Sequence, residues 1–131
     1  MSQENIERAR GLLEAIAGED YDAALALVHP HVELFPPGNQ TPYKGAQSFR
    51  RWMEPDAFSR QKIEPLEFVV GEQGRILGRQ HIRFRGAGSG IEMEIKSWSV
   101  WSFDEDGLIT RVEIFLPHEE LEARAAAGVQ D

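Results

Sequence analysis

The sequence contains no cysteine. This absence excludes disulfide bonds, thiolate nucleophiles and zinc sites built from cysteine. Basic residues are scarce relative to acidic ones, because 14 Lys and Arg stand against 22 Asp and Glu and leave a formal net charge of −8. Such a chain lacks the positive charge that displaces counterions from phosphates, and anionic membrane surfaces repel it. We therefore expect no nucleic-acid partner and no membrane partner.

Long apolar runs are also absent. No run approaches the roughly 20 residues that a membrane-spanning helix needs, and the polar start at Met1–Asn5 has no apolar signal core. The hydrophobic share of 41% and the charged share of 27% are ordinary for a globular protein. A chain of 131 residues is long enough to bury one core. These features predict a single domain over residues 1–131 and a cytoplasmic protein.

Helices are predicted in the first part of the chain and at its end. There, apolar residues recur every three to four positions, and Asp20 is placed to cap the second helix. A proline pushes the residue before it out of the helical region, so helices end near such pairs. The predicted helices are residues 4–17, a segment from Asp20 to His29-Pro30, a segment from Gly45 to Met53, and His118–Ala127.

After the third helix, apolar residues recur at every second position, which is typical of strands. Asp104–Gly107 joins two long apolar runs and is a strong hairpin signal. The predicted strands are His31–Phe35, Lys62–Val70, Arg75–Arg85, Ile91–Phe103 and Leu108–Leu116. The order α-α-β-α-β-β-β-β-α predicts an α+β fold, in which helices pack on the concave face of a curved antiparallel sheet and enclose a pocket.

Alternation along the strands separates two sheet faces. In the Arg75–Arg85 strand, Ile82 falls on one face and Arg79 and His81 on the other, while Glu113 lies in an otherwise apolar final strand. Both faces of that final strand look too apolar to be solvated. One consistent arrangement places Glu113, Arg79 and His81 in a partly polar cavity under the helices. The smoother apolar face is then buried against a second copy, which predicts a homodimer.

Several short motifs, taken in order, resemble the SnoaL-like branch of the nuclear-transport-factor-2-like superfamily, which includes ketosteroid isomerases, polyketide cyclases and limonene-epoxide-hydrolase-like enzymes. The motifs are Gly18-Glu19-Asp20-Tyr21-Asp22, His29-Pro30-His31-Val32-Glu33, Tyr43-Lys44-Gly45, Ser99-Val100-Trp101-Ser102-Phe103 and Asp106-Gly107-Leu108-Ile109-Thr110-Arg111. The resemblance implies a cone-shaped α+β barrel with a deep ligand pocket, usually in a homodimer.

The resemblance also implies roles for particular residues. Compared with the epoxide hydrolases, Glu113 falls where the last strand supplies a catalytic aspartate. Arg79 and His81 fall at the arginine and second aspartate of an Asp-Arg-Asp relay, and Glu33 and Phe35 fall at a water-holding tyrosine and asparagine. Of these epoxide-hydrolase residues, only the arginine is present in this sequence, which argues against epoxide hydrolysis. An Arg-His-Glu trio is still able to move protons.

Each candidate catalytic residue has a structural alternative. An apolar cavity disfavours the charged form of a carboxylate and suits it to general acid–base work, which is the catalytic reading of Glu113; the alternative is an ion pair. Histidine titrates near neutral pH, so His81 is the candidate proton shuttle or a hydrogen-bonded strand residue. Arg79 is expected to orient Glu113 or an anion. Glu33 is a second carboxylate or a solvated one.

Aromatic and small residues complete the predicted substrate site. Phe49 and Trp52 lie on the helix that roofs the cavity in the resembled fold. Ser97 and Ser99 share a strand face with Trp101, and their small side chains leave room for a ligand. The predicted substrate-binding residues are Glu33, Phe35, Phe49, Trp52, Ser97, Ser99 and Trp101.

No cofactor or metal is expected. His29 and His31 lie two apart, but no third ligand is evident and catalytic zinc usually has three protein ligands. The glycine-rich run 86–90 leads into a strand rather than a helix, so it lacks the helix N-terminus of a phosphate site.

Two functional hypotheses follow from the sequence. The first is a small-molecule enzyme that uses Glu113, His81 and Arg79 in cofactor-independent isomerisation, cyclisation or hydrolysis of a largely apolar ligand. The second is a non-catalytic module of the same fold that binds a small molecule or dimerises. Fold alone does not decide between them.

Overall fold

A computed structural model describes residues 2–38, 40–54, 58–86 and 88–129. The helices are α1 (Ser2–Ala17), α2 (Tyr21–Leu25), α3 (Ala46–Met53) and α4 (Glu120–Ala127). The strands are β1 (Val28–Phe35), β2 (Tyr43–Lys44), β3 (Phe58–Val70), β4 (Ile76–Gly86), β5 (Glu92–Phe103) and β6 (Ile109–Phe115). The predicted order is confirmed, with the two-residue strand β2 added inside the segment predicted as loop.

The ends of the elements follow local chemistry. The Asp20 carboxylate accepts a hydrogen bond from the backbone N–H of Ala23 at 3.2 Å, which confirms the predicted cap of α2. This helix ends at Leu25, so the His29-Pro30 pair lies within β1 and does not end a helix. Gly45 precedes α3 with a φ of 91°, a backbone conformation that favours glycine.

The six strands form one curved, unclosed sheet in the order β2-β1-β6-β5-β4-β3. All neighbouring strands are antiparallel except β1 and β6, which pair in parallel and so correct the expectation of a wholly antiparallel sheet. The β5–β6 turn forms as predicted. Its Asp104 carboxylate accepts N–H groups of Asp106 and Leu108, both at 2.9 Å.

One sheet face, here called the inner face, is covered by α1 to α3. Apolar residues at alternate strand positions pack there against the apolar stripe of α1, with Leu12 fully buried. The main strand residues in this core are Val32, Leu34, Ile76, Trp101, Ile109 and Val112. The larger part of the buried apolar surface therefore lies between the first helices and the inner face.

The opposite face, here called the outer face, is partly covered by α4. Leu77, Trp98 and Val100 pack against Ala123 and Ala127, all five of them buried. This placement corrects the expectation that the helices pack on one face only. It also weakens the argument for a homodimer, because α4 of the same chain covers Leu77, Trp98 and Val100. Dimerisation stays a prediction.

Within the described ranges, no helix combines the length and the apolar character that crossing a membrane requires.

Candidate functional site

A cavity lies between the inner face and helices α1 and α3. Its volume is about 50 Å³. The walls come from the two helices and from strands β3 to β6: Leu12, Leu13, Ile16, Phe49, Trp52, Ile63, Gln80, Ile82, Ser97, Ser99, Trp101, Val112 and Ile114. A buried water needs roughly 10–15 Å³ measured in this way, so the cavity has room for a few water molecules.

The period of each element explains which side chains reach the cavity. On β4 and β5 every second residue faces inward, and the cross-strand pairs Gln80–Ser97 and Ile82–Ile95 lie on that face. On α3, Phe49 and Trp52 are three residues apart and therefore neighbours, with ring centroids 5.6 Å apart. The predicted lining residues Phe49, Trp52, Ser97, Ser99 and Trp101 all border the cavity.

The floor of the cavity carries a chain of neutral hydrogen bonds. Trp101 Nε1 donates to Ser99 Oγ at 2.8 Å, and Ser99 Oγ donates to Gln80 Oε1 at 2.9 Å. Gln80 Nε2 donates to Ser97 Oγ at 2.7 Å. Gln80, Ser97 and Ser99 are the buried polar residues among the described side chains. We call Gln80, Ser97, Ser99 and Trp101 the polar floor.

Gly78 makes room for the polar floor. A Cβ atom at this position would lie 2.9 Å from Ser99 Oγ and 3.3 Å from Trp101 Nε1. A side chain here would therefore press on the hydrogen bond between Ser99 and Trp101. The absence of a side chain at Gly78 is a steric requirement of the floor.

Sequence reasoning missed Gln80. It lies between Arg79 and His81, whose charge drew the functional hypothesis. The signal was present, because Gln80 has the same parity as Ile76 and Ile82, which the alternation assigns to one face. A polar residue on an otherwise apolar strand face is the more informative observation.

The predicted catalytic residues share a face, as expected, but it is the outer face and not the cavity. Arg79 is paired with Trp98, and its guanidinium carbon lies 5.4 Å from the centroid of that buried ring. His81 Nε2 lies 3.1 Å from Glu94 Oε2, and its Nδ1 lies 3.9 Å from Glu64 Oε1. Glu113 Oε1 lies 3.4 Å from Arg111 Nε.

The three residues do not converge on the outer face either. Glu113 is paired with Val100, and His81 is paired with Lys96. Lys96 and Val100 are four residues apart on β5, which separates His81 from Glu113 by about 13 Å along the strands. The two side chains are also two strands apart, which adds about 10 Å in the perpendicular direction. Each of the three has its own partner, and no shared site is formed.

Glu33 and Phe35 also lie outside the cavity. The Glu33 carboxylate lies 3.8 Å from Lys44 Nζ. The Arg111 guanidinium carbon lies 4.1 Å from the centroid of the Phe35 ring. Both residues alternate with Val32 and Leu34, which are buried in the inner core, so the parity of β1 directs Glu33 and Phe35 outward.

The described part of the cavity wall carries no charged side chain. Among the described lining residues, none carries a titratable side chain. The rings of His29 and His31 are 5.5 Å apart. No group of three or more histidine, aspartate or glutamate side chains in the described part of the chain is placed to hold a metal ion. The chemistry available at the cavity is therefore apolar contact plus neutral hydrogen bonding.

Comparison with protein families identifies this architecture. The family model described as a SnoaL-like domain matches residues 9–112, which include most of the cavity wall. The chain belongs to the SnoaL-like family. This result confirms the resemblance indicated by the sequence motifs. Among curated proteins, none matches the SnoaL-like chain.

Solved structures share the fold of this SnoaL-like domain at low sequence identity. The epoxide hydrolase/cyclase-like enzyme SalBIII, of pyran ring formation in polyether salinomycin, is 16% identical with a TM-score of 0.78, over 88% of this chain and 94% of that one. A computationally designed 17-OHP binder is 16% identical with a TM-score of 0.74, over 85% and 91% of the two chains.

A third structure of this fold is that of a Mycobacterium tuberculosis protein in complex with estradiol-17beta-hemisuccinate. It is 15% identical to the SnoaL-like chain with a TM-score of 0.73, over 85% of this chain and 92% of that one. At these identities the comparisons establish the fold, while function is argued from the cavity.

Proposed function

We propose that this SnoaL-like domain binds a small, uncharged, largely apolar molecule in the cavity between α1, α3 and the inner face. The observation that carries the proposal is the composition of the wall, which is apolar except for the polar floor and has no titratable side chain among its described residues. Small-molecule sites combine a mostly apolar lining with a few placed polar groups in this way.

Two structural neighbours support a small apolar occupant. One is in complex with estradiol-17beta-hemisuccinate, and another is a 17-OHP binder by design. Both have the fold of the SnoaL-like domain, and both ligands are largely apolar. The proposal transfers the largely apolar character of these ligands, and neither their size nor the carboxylate of the hemisuccinate.

The volume of the cavity indicates the size of the occupant. An engineered cavity of about 150 Å³ binds benzene in another protein, which is about three times the 50 Å³ available here. A single-ring ligand therefore requires some movement of the wall. Trp52 is the large wall residue best placed to move, because it is only partly buried whereas Phe49 and Trp101 are almost completely buried. We propose a single-ring ligand rather than a steroid.

Binding is measurable through tryptophan. Trp52 and Trp101 border the cavity, while Trp98 lies on the outer face, so two of the three tryptophans report on an occupant. Titration with cyclohexanone is expected to change the fluorescence to a saturating limit and to release or absorb heat in calorimetry with the same affinity. The absence of saturable binding by both methods contradicts the proposal.

The location of binding is tested by narrowing the cavity. Ile82 is a partly buried wall residue, and Ile82→Phe adds bulk at the cavity. We expect cyclohexanone affinity to fall about tenfold, the lower end of the effect of overpacking. The matched control is Leu121→Phe at an exposed position of α4, which should bind as the parent does. Equal affinity of Ile82→Phe and the parent would place the ligand elsewhere.

The catalytic hypothesis is a separate prediction with a separate outcome. Because Glu113 lies outside the cavity wall, Glu113→Gln is expected to leave cyclohexanone affinity unchanged within about twofold. The matched control for the change of charge is Glu7→Gln, at an exposed position of α1. A large loss of affinity in Glu113→Gln alone would show that this carboxylate contributes to binding.

The same pair of variants tests chemistry. Acid–base catalysis by Glu113, His81 and Arg79 predicts turnover of an epoxide, an enone or a polyketide-like ketone that Glu113→Gln loses and Glu7→Gln keeps. The SalBIII fold relationship is what favours including epoxides. Turnover by the parent that survives in Glu113→Gln would remove this residue from the mechanism.

A further inference from the structure

The direction of the polar floor is determined by its first donor. The Trp101 indole N–H is a donor only, so Ser99 Oγ must accept the hydrogen bond between them. The Ser99 hydroxyl then has its own hydrogen to donate, and Gln80 Oε1 accepts it. This contact orients the Gln80 amide, because the oxygen faces Ser99 and the nitrogen must face Ser97.

The chain of donors ends at Ser97. Its hydroxyl oxygen accepts from Gln80 Nε2 at 2.7 Å, so its hydrogen is left to donate. That hydrogen and the second amide hydrogen of Gln80 have no acceptor among the described residues. Every oxygen of the floor, in contrast, already has one partner. Gln80 and Ser97 are at least 96% buried, and both border the cavity.

We infer that the cavity recognises a neutral molecule through one carbonyl oxygen, which accepts hydrogen bonds from Ser97 Oγ–H and the second N–H of Gln80. This inference rests on the proposed binding function and names its ligand class. A carbonyl oxygen has two lone pairs and therefore satisfies two donors that approach from one side. The apolar remainder of the wall then packs around the hydrocarbon part of the ligand.

The wall discriminates against charged ligands. A protonated amine would carry a full positive charge into the cavity, where no described wall residue offers a carboxylate to pair with it. A carboxylate ligand would find hydrogen bonds but no cation among the described wall residues, and burial of an unpaired charge is strongly unfavourable. The expected preference is ketone over hydrocarbon, with ammonium and carboxylate analogues weakest.

Four ligands of one ring size test this order. Cyclohexanone presents the carbonyl oxygen, and methylenecyclohexane replaces that oxygen by CH₂ with the same shape. At pH 7, cyclohexylammonium carries a positive charge and cyclohexanecarboxylate a negative one. We expect cyclohexanone to bind about two- to tenfold more tightly than methylenecyclohexane, the effect of one or two neutral hydrogen bonds. Equal binding of these two neutral ligands overturns the inference.

Ser97→Ala identifies the donor. The variant is expected to lose about two- to tenfold in cyclohexanone affinity and to keep its affinity for methylenecyclohexane. The matched control is Ser102→Ala on β5, which has the opposite parity and lies outside the cavity wall. Ser97→Thr restores a hydroxyl and should recover part of the ketone preference. A parallel loss of both ligands in Ser97→Ala would indicate a packing effect and would overturn the assignment.

Infrared spectroscopy of bound cyclohexanone measures its carbonyl stretching frequency, which distinguishes a lost hydrogen bond from a change in packing. Hydrogen bonding lowers the frequency of a carbonyl stretch, so bound ligand should absorb lower than it does in hexane, and the shift should shrink in Ser97→Ala. The two proposals fail differently. If neither neutral ligand binds, the binding function fails; if both bind equally, only the carbonyl assignment fails.

Discussion

Phe49→Ala is expected to lower the free energy of unfolding by about 3–5 kcal/mol, the usual cost of removing a fully buried aromatic ring from a core. Phe49 has 0% exposure and belongs to the inner core cluster. Its ring also contacts that of Trp52, so the substitution loosens the helix that roofs the cavity. Urea denaturation followed by circular dichroism measures the change.

The control for Phe49→Ala is Leu121→Ala, because Leu121 on α4 is 73% exposed. A surface substitution of this kind is expected to change stability by less than about 0.5 kcal/mol. A loss below about 1 kcal/mol in Phe49→Ala would contradict the packing of α3 against the inner face. Because the substitution enlarges the cavity, cyclohexanone should also stabilise the variant more than it stabilises the parent.

Gln80→Leu is expected to lower the free energy of unfolding by about 1–3 kcal/mol. Leucine fills a similar volume but accepts no hydrogen bond from Ser99 and donates none to Ser97. The cost of leaving buried polar groups without partners exceeds the net benefit of a typical hydrogen bond. The same urea denaturation measures this change.

A double-mutant cycle tests the cause of that loss. Ser99→Ala removes the hydroxyl that Gln80→Leu leaves without an acceptor, so the double variant should be less destabilised than the sum of the single variants. The coupling is absent if Gln80→Leu acts through shape alone. Gln80→Leu combined with Ser102→Ala is the matched control, and these two changes are expected to add.

The order of the elements was predictable because it depends on local patterns. Helical spacing, the Asp20 cap and the Asp104–Gly107 hairpin each act within a few residues of the chain, and all three are confirmed. The family was also accessible, since its short motifs keep their order along the chain and the family model matches residues 9–112. Ser97 and Ser99 were recognised as cavity residues because small side chains on an apolar strand face leave space.

The placement of the candidate site was less predictable from the sequence. Alternation correctly separated Ile82 from Arg79 and His81, and it separated Ile114 from Glu113. It did not indicate which of the two sets faces the first three helices, because a strand presents its two faces symmetrically to any partner. The structure places Arg79, His81 and Glu113 on the outer face, where each has its own neighbour. Arg79 lies over the Trp98 ring, His81 contacts Glu94 and Glu113 contacts Arg111.

The sequence by itself determined the elements, their order, the family and the division of each strand into two faces, since all of these follow from patterns that neighbouring residues carry. Only the tertiary structure decided which face became the interior. That choice depends on how distant segments pack: α1 and α3 cover Gln80 and the two serines, while α4 returns from the end of the chain to cover Trp98. Burial of apolar area by segments far apart in sequence has no local signature, and it is this packing that leaves a neutral cavity with two unused hydrogen-bond donors.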